Sequence, residues 1–152
     1  MTSRQALILA TLGSAGMMLA ALAFQYLGGM PPCKMCYWQR YPHITALLIG
    51  SAALVLRQRY LLLLGALAAA VTSAIGFFHA GVEQGWWEGP TTCTSGPVGG
   101  LSAEALLDQI LTAPLVRCDE IPWSLFGLSM AGWNAVLSLC LTFCWLYAYR
   151  RR

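Results

Sequence analysis

Charge is what this sequence has least of. Only 10% of its 152 residues are Asp, Glu, Lys or Arg, against 58% hydrophobic, and its mean hydropathy is +0.62. A soluble domain carries about 25% charged residues, so an ordinary water-soluble domain is excluded. No Asp, Glu, Lys or Arg occurs between Arg4 and Lys34, between Arg40 and Arg57, between Arg59 and Glu83, or between Glu120 and Arg150. The chain also lacks a basic stripe away from the ends of these apolar windows, which excludes nucleic acid as a partner. No acid lies inside a window to mark an ion or proton path. No alternation of strands with helices is present, which excludes a thioredoxin-like fold.

What fills the chain is long apolar helix. A membrane-crossing helix needs about 20 apolar residues. Three windows reach that length and the second is short, giving spans at about 6–26, 40–56, 60–80 and 128–149. The expected fold is an all-α membrane protein, a single four-transmembrane-helix bundle over residues 1–152. The apolar stretch of the first window exceeds the ~7–15 residues of a signal peptide core, so it is read as a retained span. Arg4, Arg57, Arg59 and Arg150–Arg152 flank one set of ends, and all six acids lie between Glu83 and Glu120. The positive-inside rule then places the N and C termini in the cytoplasm. Loops at about 27–39 and 81–127 share the outer face, the periplasm if the membrane is a bacterial inner membrane.

The first outer loop carries the most informative stretch, Pro31-Pro32-Cys33-Lys34-Met35-Cys36-Tyr37-Trp38-Gln39-Arg40. Two prolines stop the first helix, and the next begins within the Cys-x-x-Cys. Thiols at a helix N-terminus feel its positive end, which favours thiolate. Arg40 follows Cys36 by four residues and shares its helix face. Because Tyr41–Leu56 is too short to cross alone, Arg40 is drawn to the outer hydrocarbon boundary. Pro42 sits in the first turns, where early N–H groups have no intrahelical partner. His43 reads as a satisfied interfacial histidine, and Gln25 as a polar group facing headgroups. His79, at the outer end of the third span, lies at the depth of Arg40, where it can hydrogen-bond a ligand or cap the helix. Beyond Trp86 and Trp87, Cys93 stands in an irregular Thr91–Pro97 segment open to a partner's thiol. Ser102–Leu111 has the pattern of a short amphipathic helix ended by Pro114, able to lie on the bilayer or dock on the bundle.

Four of the six cysteines, Cys33, Cys36, Cys93 and Cys118, fall on the outer side, where disulfides persist. Tyr37 rather than His follows Cys36, which excludes a c-type haem site. Cys93 and Cys118 are too far apart in sequence for the second half of a zinc ribbon, so no metal is expected. A relay of two disulfides fits better than two static braces: a brace explains neither a Cys-x-x-Cys at a helix start nor Arg40. Equivalents pass between such pairs through mixed disulfides. Cys118 can approach Cys33 if the loop folds back, while Cys36 and Arg40 face the lipid. The lipid-soluble two-electron acceptor of that region is a quinone, whose developing negative charge Arg40 would stabilise. Cys140 and Cys144, inside the fourth window, are assigned no role.

With these residues the chain resembles the DsbB family of disulfide-generating membrane proteins. The likeness rests on Phe24-Gln25, Pro32-Cys33-x-x-Cys36-x-x-x-Arg40, the pair Cys93 and Cys118, and Cys118-x-x-x-x-Trp123-x-x-x-Gly127. The resemblance implies a four-helix bundle in the bacterial cell inner membrane that reoxidises a periplasmic DsbA-like oxidase and reduces ubiquinone or menaquinone. It also implies that Cys33 and Cys36 form the quinone-side pair, that Cys93 takes the mixed disulfide, that Cys118 exchanges with Cys33, and that Arg40 holds the quinone. Two rivals are a vitamin K epoxide reductase-like enzyme and a non-enzymatic metal-binding membrane protein. The first carries its quinone-side Cys-x-x-Cys at the end of a late helix, whereas here it begins the second. The second predicts bound metal lost on Cys33→Ser.

Overall fold

The computed structural model describes residues 1–90, 93–94, 102–112 and 116–152. Its elements are α1 (Ser3–Tyr26), α2 (Lys34–Leu56), α3 (Arg59–Glu83), α4 (Ala103–Thr112), β1 (Ser124–Leu125), β2 (Leu128–Ser129) and α5 (Met130–Arg150). The Pro114 stop and most of Thr91–Pro97 lie outside the described residues.

α1, α2 and α5 each start where a side chain takes up an orphan N–H group, whereas α3, after Gln58, has no side-chain cap. Thr2 and Gln5 form a reciprocal capping box at α1, with Thr2 N donating to Gln5 Oε1 at 2.8 Å and Gln5 N to Thr2 Oγ1 at 3.2 Å. The Cys33 sulfur caps α2, and Ser129 Oγ caps α5 by accepting from Gly132 N at 3.1 Å. Arg57 caps α2 in the left-handed region with φ 54°, so the chain reverses into α3 through Arg57 and Gln58. α2 begins at Lys34, within the Cys-x-x-Cys as expected, which puts Pro42 two turns inside it and past the N–H groups that lack an intrahelical partner. There it cannot donate to the carbonyl of Trp38, four residues back.

α1 packs on α2 and α5, and α3 packs on the same two, so the four long helices close into a ring. Ser3 Oγ donates to Ala148 O at 2.8 Å, Tyr147 OH donates to Met1 O at 2.9 Å, and the Arg59 guanidinium lies 4.3 Å from the centre of the Tyr149 ring. Both termini and the 57–59 turn therefore share one end, and the outer-loop cysteines lie at the other. Near the termini the core is apolar, with Leu7, Ala10, Ala53, Leu62, Ala69 and a fully buried Trp145.

α1, α3 and α5 are each long and apolar enough to cross a membrane. α2 is not among them, because its first half carries Gln39, Arg40 and His43. α4 covers nearly the expected helix, with Leu107 and Leu111 exposed. One element was not anticipated. Residues 124–129 form a two-stranded hairpin, with Ser124 opposite Ser129 and Leu125 opposite Leu128. Its turn residues Phe126 and Gly127 both take positive φ, at 51° and 77°, as a type I′ hairpin requires.

α3 meets the α5 backbone closely at Gly76, where an added Cβ would lie 2.9 Å from Ala135 N and 3.0 Å from Ala131 O. Backbone cannot yield as a side chain can. Gly76→Val should therefore destabilise the bundle by about 1–3 kcal/mol, read as a lowered thermal midpoint of the micelle-solubilised protein.

Candidate functional site

Pro31 and Pro32 end the preceding chain path, α2 starts at Lys34, and the orphan N–H of its first turn at Cys36 is taken up by the Cys33 sulfur. Cys33 Sγ accepts from Cys36 N at 3.2 Å and lies 2.8 Å from Cys36 Sγ, with both cysteines free thiols. The hydrogen bond with Cys36 pushes the Cys33 thiol up, and burial adds to this. The same bond, donated by Cys33, pulls Cys36 down against its own burial, with the Arg40 charge assisting. The pair thus gives up one proton readily and the second with difficulty.

Above this pair, Cys93 and Cys118 form a disulfide, and Cys118 N donates to Cys93 O at 2.8 Å. Cys33, Met35, Val82, Cys93 and Cys118 make a second core cluster against the outer end of α3. The sequence suggested an open Cys93, yet it is only 1% exposed. The turn that begins at Pro90, whose carbonyl accepts from Cys93 N at 3.0 Å and Thr94 N at 3.1 Å, folds it inward against that cluster. Cys33 Sγ, Cys118 Sγ and His79 Nε2 all lie within 4.8 Å of one another. These are metal-ligand types, but the Cys118 sulfur is bonded to Cys93 and is not a thiolate ligand in this state.

Cys36 lines a cavity of about 600 Å³ together with Arg40, His79, Glu83, Phe24 and Trp123. Arg40 is half-buried there. Its Nη1 donates to Gln25 Oε1 at 2.6 Å, its Nη2 donates to Ala21 O at 3.3 Å, and its guanidinium lies 5.2 Å from the centre of the Tyr37 ring. Gln25, read from sequence as facing headgroups, instead holds the arginine.

Between the cavity and the apolar core lies a polar layer that the sequence reading largely missed. Gln39 Nε2 is 2.8 Å from His79 Nδ1, and Asn134 Nδ2 donates to Gln39 Oε1 at 2.8 Å. Asn134 Oδ1 is 2.9 Å from Nε2 of His43, which is buried rather than interfacial. Thr72 Oγ1 donates to Gln39 O at 2.9 Å. His79 Nε2 is 3.1 Å from Cys118 O, 3.7 Å from Cys33 Sγ and 3.9 Å from Glu83 Oε1. Ser129 Oγ donates to Glu83 Oε2. The available signal was polar pairs at helical i, i+4 spacing beside or inside apolar windows: Gln39 and His43, His79 and Glu83, Asn134 and Ser138. Cys140 lies exposed on the outside of the bundle and Cys144 is half-buried.

Two cysteine pairs within exchange reach at one end of an apolar helix bundle define a membrane thiol–disulfide oxidoreductase. The family profile described as disulfide bond formation protein DsbB matches residues 3–148. The chain belongs to the DsbB family. It is 33% identical to disulfide bond formation protein B of Verminephrobacter eiseniae, over 92% of this chain and 84% of that one. It is 32% identical to that of Shewanella loihica, over 88% and 81%, and 27% identical to that of Hahella chejuensis, over 100% and 96%. No solved structure matches.

The unequal thiols give a direct test. In the dithiol state, limited alkylation at neutral pH should label Cys36 well ahead of Cys33, as read by peptide mass spectrometry. Equal labelling would contradict the shared proton.

Proposed function

We propose that this membrane disulfide-generating oxidoreductase reoxidises a DsbA-like periplasmic thiol oxidase and passes the electrons to a membrane quinone, ubiquinone or menaquinone. All four long helices cross the bacterial inner membrane in this reading, with both termini in the cytoplasm and the cysteine end in the periplasm. Crossing by α2 is admissible because Gln39 and His43 are buried in the bundle and Arg40 has partners, so few of its polar groups meet lipid. The observation that carries the reading is the sulfur arrangement. Cys118 lies beside Cys33, and Cys36 opens on the cavity that Arg40 lines.

The cavity suits a quinone ring. Its volume of about 600 Å³ falls in the usual range for small-molecule sites. Met17, Ala21, Phe24 and Leu137 give it apolar walls, and Arg40 and His79 bring polar groups to its sulfur end. When bound, a quinone supplies an acceptor for two electrons and two protons. Arg40 would hold its oxygen, and His79 is the second polar group in reach.

The chain's own steps are exchanges. The partner's thiolate attacks Cys93 of the Cys93–Cys118 disulfide and displaces Cys118 as thiolate. Because Cys93 is buried, the partner must first gain access to its sulfur. Completion of the partner's own disulfide releases Cys93 as a thiolate. The Cys118 thiolate then attacks Cys33 of an oxidised Cys33–Cys36 pair. The Cys118–Cys33 bond forms, the Cys33–Cys36 bond breaks, and Cys36 leaves as a thiolate beside Arg40. Attack of Cys93 on Cys118 restores the outer disulfide and leaves the inner pair reduced.

Purified protein mixed with reduced DsbA and a soluble quinone should oxidise the DsbA thiols at the expense of the quinone. No quinone-dependent oxidation, or full activity in Cys36→Ser, would remove the reading. Arg40→Ala should raise the apparent KM for quinone by about 10- to 100-fold, the worth of a charge-assisted hydrogen bond. It should leave mixed-disulfide formation between DsbA and Cys93 intact.

A further inference from the structure

The polar layer is not a set of separate bonds. It is a chain of donors that all point one way, and its direction is fixed by backbone carbonyls, which can only accept. Asn134 Nδ2 lies 3.2 Å from Thr72 O, so that atom is the amide nitrogen, and Asn134 Oδ1 must face His43. Gln39 Nε2 lies 3.2 Å from Met35 O, so the Gln39 nitrogen faces His79 Nδ1 and its oxygen faces Asn134. His79 Nδ1 therefore accepts. The remaining nitrogen, Nε2, lies 3.1 Å from Cys118 O and must carry the proton. His43 Nε2, facing Asn134 Oδ1, is likewise protonated, and its Nδ1 is buried with no hydrogen-bond partner among the described residues. Ser138 Oγ also donates to Asn134 Oδ1, at 3.2 Å. The order is His43 to Asn134 to Gln39 to His79, and the last N–H arrives at 3.7 Å from Cys33 Sγ.

We infer that Gln39 and Asn134 are positioning residues that lock His79 as the Nε2–H tautomer and present that proton to the Cys33 sulfur during exchange. The inference rests on the functional reading above and assigns roles that reading leaves open. When Cys93 closes on Cys118, Cys33 is released as a thiolate next to a thiolate already at Cys36. Arg40 answers the charge on Cys36. The His79 N–H, whose nitrogen lies 3.7 Å from Cys33 Sγ, answers the charge on Cys33. A histidine free to change tautomer would present a lone pair to Cys33 in part of the population, and that lone pair would repel the leaving sulfur. Aligned hydrogen bonds also polarise one another in a low-dielectric interior, so the two amides strengthen the final donor as well as orient it.

The chain has only two histidines, so labelling histidine with a nitrogen isotope reports both rings in the intact, micelle-solubilised protein. The expected spectrum shows both rings protonated at Nε2, with His43→Gln assigning the signals. Gln39→Glu, close to isosteric, puts a carboxylate against His79 Nδ1 and should place a proton there. A wild-type His79 protonated at Nδ1, or a ring unchanged in Gln39→Glu, would overturn the inference. In a Cys36→Ser background, Gln39→Met and Asn134→Leu should each slow alkylation of Cys33 by about fivefold at fixed pH, roughly the net worth of one hydrogen bond. Unslowed alkylation in both would also overturn it. Retention of the Cys93–Cys118 disulfide checks that each variant is folded. If wild-type protein fails to reduce quinone while the ring spectra behave as stated, the functional reading falls and the tautomer lock stands. If quinone is reduced but the rings do not respond to residue 39, only the lock falls.

Discussion

The first turn of α2 is closed by a sulfur, and the rest of the site takes its position from that bond. The Cys36 N–H is one of the first-turn groups that have no intrahelical partner, and Cys33 Sγ accepts it at 3.2 Å. The cap residue is thus a redox residue as well. Starting the helix there fixes the direction of every later side chain. Cys36 opens on the cavity, Arg40 lines it one turn below, and Gln39 and His43 face the bundle interior. A helix begun one residue later would rotate these groups by about 100°, since 3.6 residues make a turn, and would turn Gln39 off its bond to His79.

A second constraint follows from placing these groups in an apolar bundle. An unpaired polar group away from water costs about 1–3 kcal/mol, so Gln39, His79, Asn134, Thr72 and Ser138 satisfy one another across α2, α3 and α5. This layer separates the apolar core around Trp145 from the sulfur cluster around Cys33 and Cys118. It also explains why α2 is the one long helix whose composition falls short of a membrane span. Its polarity is directed inward, where composition alone cannot see that it is partnered.

Much of the architecture was legible because apolar windows, charge gaps and proline stops are local signals. The helices around Ala6, Leu47, Ala69 and Leu137, the short helix near Leu107, and the shared end of the two termini all follow from them. The proximity of Cys36 and Arg40 to one cavity was also legible, since four residues of helix bring two side chains to one face. Contacts made between helices were not. Gln25 looked like a headgroup contact because nothing in one strand of sequence says that Arg40 lies opposite. His79 was left between ligand and cap, because its partners Gln39 and Cys118 are distant in the chain. Cys93 was expected in the open because its segment is rich in Thr, Gly and Pro, and composition cannot report the pull of a disulfide against Val82. The hairpin went unread because its strands are two residues each, too short to show alternation.

The arrangement divides the two thiolates of the inner pair between unlike partners, and this division has a physical logic. Cys36 faces the cavity and an arginine, a full positive charge. Cys33 faces the Cys93–Cys118 disulfide and a neutral N–H donor, which stabilises an anion without holding it permanently. A second cation at Cys33 would favour a thiolate that stays, and a sulfur that stays cannot pass its bond on to Cys118. A dipolar donor supported from behind by two amides gives a smaller stabilisation, matched to a sulfur that must leave, be attacked and leave again. The contrast is between strong charge stabilisation at the cavity-facing sulfur and weak, oriented stabilisation at the sulfur beside the outer disulfide.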